Sequence, residues 1–270
     1  MSAALRTTRQ RRRFSLPARG IAGLPVIVFR RLVAMVRRRR VDLSKRKRDQ
    51  RRPTYLKLTS AAYPLKSFLA GIARPSSDEA ASAAARYFLE HRFDLLGSGW
   101  TCVAHGMQCR GVEGVRFPAG KPAAADRSGE WLRDRVTAPN LEESRRIWSM
   151  IDAEYKPIDW HVDFKSGFRW NETTWYHDIR FADTRGADVK VPWELSRLQH
   201  LPQLALQFGA RQSPSLSREI RNQILDWIAT NPPRFGVNWF STMDVAIRVA
   251  NMLVAYDLAV AYGVPFDSDF

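Results

Sequence analysis

The chain has 270 residues, of which 45% are hydrophobic, including nine tryptophans and 14 phenylalanines, and it carries a formal net charge of +16. This composition excludes a disordered protein and provides enough apolar residues for one large or two smaller domains. The charge is unevenly distributed: residues 1–52 carry 18 Lys and Arg against two acids, whereas residues 53–270 carry 25 of each sign. The main part of the chain is therefore not a basic nucleic-acid binder.

The N-terminal segment combines arginines with an apolar run. Residues 21–36 read IAGLPVIVFRRLVAMV, and RRRR follows at 37–40. Arg30 and Arg31 interrupt the run, so neither a standard signal peptide nor a membrane span is expected. Three interpretations of residues 1–52 are open: a solvated tail, a helix lying on an anionic membrane surface, or a nucleic-acid contact, the last being the least favoured.

The remaining chain reads as helices joined by turns. We expect residues 1–75 to form a basic, largely disordered tail and linker, and residues 76–270 to form one domain. Ser76 and Glu79 have the spacing of a capping box at the start of its first helix. The glycine-rich stretch 97–129 predicts turns and short strands. Further helices are predicted at 141–155, at 193–209 with a kink at Pro202, and at 214–231.

Cys102 and Cys109 are the only cysteines. They form one C-x6-C pair with no second pair and no matching histidine spacing, so a zinc site is not expected. A single disulfide and two unpaired thiols both remain open. No metal and no cofactor are predicted for the chain.

Residues 157–195 form a long stretch without helical periodicity and with many aromatic side chains. Such a stretch is typical of an ordered functional loop, although the aromatics could equally close the ends of a helical domain. Rings interleaved with charges also suit a carbohydrate site, since ring faces stack on sugar C–H groups. The aromatic residues are Trp160, Phe164, Phe168, Trp170, Trp175, Tyr176, Phe181 and Trp193, and the interleaved charges include Asp159, Asp163, Lys165, Arg169, Asp178, Asp188 and Lys190.

The stretch 231–262 begins with a proline- and glycine-rich turn and continues as a helix from Trp239. Because this helix is apolar almost all round, we expect it to be buried. Its polar exceptions, Asp244, Arg248 and Asn251, share one face. That face must either be satisfied internally, for example by an Asp244–Arg248 pair, or line a wet cavity. Asn238 lies at the start of the helix and is either its N-cap or a functional residue.

This order of elements predicts a mainly all-α fold of layered helical hairpins with an aromatic-rich ordered loop. An incomplete (α/α) toroid, with inner helices around a cleft, is one such arrangement. Periodicity alone does not distinguish a toroid from a simple helical bundle.

Four stretches resemble the N-terminal domain of the heparinase II/III family of polysaccharide lyases, and the resemblance covers about residues 80–265. It implies an (α/α) toroid followed by a C-terminal β-sandwich, β-elimination on uronic-acid polysaccharides, and a periplasmic or cell-envelope location. The stretches are RFDLLGSGW (92–100), PIDWHVDFKSGFRW (157–170), DVKVPWELSRLQHLPQLA (188–205) and NPPRFGVNWFSTMDVAIRVANML (231–253).

The chemistry of β-elimination explains which residue types are needed. The uronate carboxylate must be neutralised before its C5 proton can leave, and a base and an acid complete the reaction. Asn238 matches the family's neutralising residue, whose amide donates hydrogen bonds without carrying charge. The candidate substrate-binding residues are Trp193, Arg197, His200, Trp239 and Arg248.

In the family, an acid/base Tyr and a His on the β-sandwich lie further along the chain than the position of Asn238, and neither Tyr256 nor Tyr262 matches that Tyr. We therefore expect this chain to be the N-terminal part of a lyase and to be inactive alone. The alternative is a non-catalytic module that binds an acidic polysaccharide or assists exopolysaccharide assembly, held at an anionic membrane by its basic N-terminus.

Overall fold

The computed structural model describes residues 24–56, 67–181, 184–266 and 270, with side chains from residue 28 onward. The chain divides into two units, Met1–Arg48 and Asp49–Phe270. A helix, α1 (Leu24–Asp49), occupies much of the segment that was predicted to be largely disordered. The unit boundary also lies earlier than the predicted boundary at residue 75. The predicted linker falls partly outside the described residues.

The second unit is mainly helical, as predicted. Its longer helices enclose the core, and its two short strands form one antiparallel pair in which Arg92 lies opposite Cys102. The elements in chain order are α2 (Glu79–Leu89), β1 (Arg92–Phe93), β2 (Thr101–Cys102), α3 (Leu141–Trp148), α4 (Lys190–Ser196), α5 (His200–Arg211), α6 (Pro214–Thr230) and α7 (Thr242–Ala261), with short 3-10 turns at Glu130–Leu132, Ala138–Asn140, Tyr176–Asp178 and Val237–Trp239.

Helix α5 lies at the centre of the packing, since it contacts α2, α6 and α7. Its residues Leu201, Leu204 and Ala205 are completely buried in the largest apolar cluster. Helix α3 packs on α6 and forms a second cluster with it. The aromatic loop contributes a third cluster around Trp170 and Val237.

Helix α6 matches its prediction to within one residue, whereas the start of α2 does not. Asp78, rather than Ser76, caps α2, and its carboxylate accepts a hydrogen bond from the backbone N–H of Ala81 at 2.7 Å. The glycine-rich stretch contains turns and strand β2, in line with its prediction. Both cysteines are free thiols.

The predicted kinked helix at 193–209 is two helices, α4 and α5. The chain breaks at Leu198, which is fully buried and has the left-handed backbone conformation (φ 57°). Pro202 is not at a kink but in the first turn of α5, where its missing N–H removes no helical hydrogen bond.

Helix α7 is not buried all round, contrary to the prediction. Met243 and Leu253 are 60% and 52% exposed, and Val249 and Val254 are also exposed. The polar residue Asp244 is instead buried at 1% exposure. The helix begins at Thr242, with Ser241 as its N-cap, so Asn238 is not the cap.

Contacts between α7 and the end of α4 explain why the polar face of α7 is buried and its apolar face is exposed. Asp244 Oδ1 accepts a hydrogen bond from Arg197 Nε at 2.7 Å. Arg248 Nε donates to the carbonyl oxygen of Ser196 at 2.5 Å, and Asn251 Nδ2 donates to that of Arg197 at 2.7 Å. These partners hold the polar face inside the protein and leave the apolar face outside, although Asp244 Oδ2 has no hydrogen-bond partner among the described residues.

Across the described ranges, no helix is both long enough and apolar enough to cross a membrane. Over the same residues, no group of three or more histidine, cysteine or acidic side chains could hold a metal ion.

The orientation of α7 can be tested with two leucines on the same helix. We expect Leu253→Gln to change the free energy of unfolding by less than about 0.5 kcal/mol and to reduce self-association, because Leu253 is exposed. Leu258→Ala should cost about 2–5 kcal/mol, because Leu258 is buried. Urea unfolding and size-exclusion chromatography measure the two effects. Equal destabilisation by both substitutions would contradict this orientation.

Candidate functional site

Asn238 lies in the 3-10 turn Val237–Trp239, and its side chain is completely buried. Its Nδ2 donates to the carbonyl oxygen of Trp160 and to Asn231 Oδ1, both at 2.9 Å. The two N–H groups of the amide are therefore already occupied. Its Oδ1 has no hydrogen-bond partner among the described residues.

Arg248 supports this turn from α7. One guanidinium nitrogen donates to the carbonyl oxygen of Asn238 at 3.0 Å. The guanidinium lies 4.1 Å from the ring centroid of Trp227 and 6.0 Å from that of Trp239. Burial lowers the pKa of Arg248 to about 9, although Asp244 nearby acts in the opposite direction. Arg248 therefore binds backbone carbonyls and ring faces, rather than forming the predicted pair with Asp244.

Trp193 and Arg197 come from α4 and its end. Trp193 Nε1 donates to the carbonyl oxygen of Val237 at 2.9 Å, directly beside Asn238. Arg197 pairs with Asp244 and with Glu194, and 19% of its side chain is exposed. Five of the six predicted site residues, Asn238, Trp239, Arg248, Trp193 and Arg197, thus meet where α4 ends and α7 begins.

Three aromatic rings cover the same place, and we call them the aromatic cluster: Phe181, Trp193 and Phe240. The rings of Trp193 and Phe240 are parallel, with centroids 6.1 Å apart, and Phe181 meets Phe240 edge-on at 4.9 Å. Phe181 is exposed, and the other two rings are partly exposed. Part of an aromatic surface is therefore accessible to solvent.

His200 lies apart from the other five residues, in the main core. It packs against Phe88 and Phe93 at ring distances of 5.3 and 4.9 Å, and its Nε2 is 2.5 Å from Gln223 Oε1. Burial lowers its pKa to about 4, so it is neutral at pH 7. The structure gives His200 a packing environment rather than a place in the predicted cleft.

A buried ionic network that the sequence analysis did not assemble lies under the aromatic loop. Arg169 donates from Nε to Asp159 Oδ2 at 2.7 Å and from its two terminal nitrogens to Glu172 at 2.6 and 3.0 Å. His105 Nδ1 is 3.3 Å from Asp159 Oδ2 and 2.9 Å from an Arg135 nitrogen. Arg169 and Glu172 border a cleft of about 560 Å³ whose wall includes Trp131 and Arg135.

The electrostatics of this network favour a structural role. Burial alone would raise the pKa of Asp159, but His105 and Arg169 hold that pKa well below its usual range. The hydrogen bonds from Arg169 likewise lower the pKa of Glu172 against the effect of burial. Two arginines and two carboxylates balance each other, so the network ties the aromatic loop to distant parts of the chain.

Only some members of this network could be identified from the sequence. Asp159 and Arg169 stood out as charges between aromatics, but His105 and Arg135 lie more than 20 residues upstream with no spacing that links them. Gly236 belongs to the turn predicted before α7, but the sequence does not show why glycine is needed at this position. Its φ of 79° and the His161 Nε2 atom, which any Cβ at this position would strike, require glycine there.

Asp226 of α6 is another buried carboxyl group, completely buried and held differently. Its Oδ2 accepts hydrogen bonds from the Tyr155 hydroxyl at 3.0 Å, the Ile158 N–H at 3.0 Å and Trp160 Nε1 at 3.1 Å. Its Oδ1 has no partner in the part of the chain that the structure describes. Burial raises the pKa of Asp226 to about 7 despite these donors.

Comparison of the chain with protein families, with curated proteins and with solved structures found no match. The resemblance to heparinase II/III lyases therefore stays a prediction from the sequence.

The raised pKa of Asp226 makes stability dependent on pH. An unfolded carboxyl group ionises near pH 4, so the folded protein loses stability as pH rises from about 4 to about 7. Asn is close in shape to the neutral form. We expect Asp226→Asn to gain stability over wild type by about 2–3 kcal/mol between about pH 5 and about pH 8, measured by urea unfolding.

The exposed Asp134 provides the control, since Asp134→Asn should produce no such pH-dependent gain. A stability difference between Asp226→Asn and wild type that stays the same at both pH values would contradict a carboxyl group held neutral by burial.

Proposed function

We propose that this chain binds a uronic-acid polysaccharide where α4 ends and α7 begins, as the N-terminal part of a lyase of the heparinase II/III kind. The observation that carries the proposal is the meeting of five predicted site residues at one place beneath the aromatic cluster. These residues were chosen from the sequence, where up to 55 positions separate them.

The aromatic cluster supplies the contact surface for a sugar. Flat ring faces stack on the C–H faces of pyranose rings, and they lose little conformational entropy on binding because an aromatic side chain has only two rotatable bonds. The parallel pair Trp193 and Phe240 and the exposed ring of Phe181 offer such faces on adjoining elements. The rings of Trp193 and Phe240 pack against the third apolar cluster, which includes Val237 and Trp170.

Arg197 supplies a polar contact at the edge of this surface. Its guanidinium is held by Glu194 and Asp244, so its orientation is defined before a ligand arrives. A guanidinium carries five N–H donors, of which these two contacts use some and leave others for hydroxyl or carboxylate oxygens. The local charge is balanced, so the contact serves orientation more than overall attraction.

The position of Asn238 argues against direct contact with a ligand in this conformation. To neutralise a uronate carboxylate, its amide would have to release Trp160 or Asn231 and become accessible, because both N–H groups are occupied and the side chain is buried. The proposal also includes carboxylate neutralisation by Asn238, β-elimination and an (α/α) toroid. They rest on the resemblance.

Two exposed phenylalanines test the proposed surface. We expect Phe181→Ala to weaken binding of polygalacturonate by about fivefold to tenfold, because a stacking ring is lost. Phe68→Ala removes a ring that is 91% exposed elsewhere and should leave binding unchanged. Affinity electrophoresis in about 0.5 M salt measures binding while the charge of the N-terminal segment is screened.

The same samples are monitored by ultraviolet absorbance for unsaturated uronate products, which would show β-elimination. Saturable binding without such products favours the non-catalytic form of the proposal. Equal binding by both variants and wild type would remove the aromatic cluster from the site.

Helix α1 favours a second function, in which the chain is held at an anionic membrane surface. Val28, Leu32 and Val36 recur at helical spacing on one side of α1, next to Phe29 and Val33, and all are exposed. The helix also carries ten Lys and Arg against two Asp. An apolar stripe beside many cations is typical of a helix lying in the headgroup region of anionic lipid.

The membrane proposal is tested with vesicles of phosphatidylcholine with and without phosphatidylserine. We expect the protein to co-sediment only with vesicles that contain phosphatidylserine. The double substitution Phe29→Ser with Leu32→Ser should weaken vesicle binding by about tenfold, because two apolar side chains can no longer insert. Val41→Ser with Leu56→Ser removes two exposed apolar residues outside that stripe and serves as the control. Binding that ignores lipid charge would contradict the proposal.

A further inference from the structure

A second cleft, of about 440 Å³, lies between the β1–β2 pair and the loop that ends at Gly111. We call it the Trp100 cleft. Its wall includes Trp100, Arg92, Arg110 and Lys165. The backbone N–H of Gly111 donates to the carbonyl oxygen of Lys165 at 2.9 Å, which joins the glycine-rich loop to the aromatic loop across the cleft. The volume falls within the range of ligand-binding pockets, about 300–1,000 Å³.

The charges along the cleft have one sign. The described residues that line it include three cations, Arg92, Arg110 and Lys165, and no acid. Lys165 is positioned by a hydrogen bond from its Nζ to the carbonyl oxygen of Leu96 at 2.7 Å, and Arg92 by Glu90 at 2.9 Å. Because Glu90 pairs with Arg92, the local excess of positive charge comes from Arg110 and Lys165.

Trp100 provides an aromatic face at the same place. It is 36% exposed and stacks on Tyr87, with ring centroids 4.3 Å apart and planes 23° from parallel. Phe88 supports it edge-on at 5.7 Å. A supported, partly exposed indole beside fixed cations matches a ring-shaped ligand that carries negative charge.

Cys109, which lines the cleft, does not suggest thiol chemistry. Cys109 is buried, and burial raises the pKa of its thiol to about 11, so it stays protonated at neutral pH. The groups that the cleft offers to a ligand are therefore its cations and the ring of Trp100.

We propose that the Trp100 cleft binds an acidic sugar unit, whose ring stacks on Trp100 while Arg110 and Lys165 take its carboxylate. This inference rests on the proposed function. The charges at the α4–α7 surface cancel, so the cations of the Trp100 cleft would be what selects an acidic polysaccharide over a neutral one. Arg110 is exposed and Lys165 is partly buried, and both line the cleft. A polymer contacting both surfaces gains affinity from each.

The experiment compares variants of the full chain for binding to polygalacturonate, dextran and inorganic polyphosphate in about 0.5 M salt, where the N-terminal charges are screened. We expect Trp100→Ala to bind polygalacturonate about tenfold more weakly and Trp100→Phe to retain intermediate binding. The N-terminal segment cannot produce this graded loss, because both substitutions leave the charge unchanged. Thermal melting of each variant identifies loss caused by unfolding.

A charge pair supplies the second comparison. At about 0.1 M salt, where exposed charge pairs still contribute, Arg110→Gln with Lys165→Met should lower polygalacturonate binding by about tenfold and leave dextran unaffected. Arg74→Gln with Arg127→Gln removes the same charge at exposed sites outside the cleft and should change binding less than about twofold.

The outcomes separate this inference from the proposed function. If the Trp100 cleft variants bind like wild type while Phe181→Ala weakens binding, the cleft assignment fails and the α4–α7 surface stands. If the cleft variants lose polyphosphate and polygalacturonate equally, the cleft selects negative charge in general and the assignment to an acidic sugar fails. If wild type binds no polygalacturonate, both proposals fail.

Discussion

The structure depends on the polar contacts that join the end of α4 to the inner face of α7. Asp244 holds Arg197, and Arg248 reaches two backbone carbonyls, those of Ser196 and Asn238. A buried guanidinium without partners would cost several kcal/mol, so these contacts determine which face of α7 points inward. The apolar face is left outside because the helix cannot bury both.

These contacts also determine the geometry of the candidate site. Arg248 holds the Asn238 carbonyl, and the Asn238 amide in turn holds Trp160 and Asn231. The turn before α7, the aromatic loop and α4 are thereby joined through one set of hydrogen bonds. A site built on such a rigid base presents its surface rings in defined positions. The same rigidity keeps the Asn238 amide away from a ligand.

Some of the fold could be predicted because the necessary signals are local. The extent of α6 follows from a Pro at its first turn and a proline pair soon after its end. The spacing of Asp244, Arg248 and Asn251 placed them on one face, but it left open whether that face would be satisfied internally or would line a wet cavity. The partners of that face could not be predicted, because Ser196 and Arg197 lie about 50 residues earlier and no periodicity links the two elements.

The sequence by itself determined the helical class and the separation of charge between the N-terminal segment and the remaining chain. These features depend on composition, periodicity and turn chemistry within short windows. Only the tertiary structure decided that α7 turns its apolar face outward, that His200 belongs to the core, and that His105 and Arg135 join Asp159 and Arg169. Each of these depends on contacts between residues far apart in the chain, where burial and hydrogen-bond partners outweigh local preference.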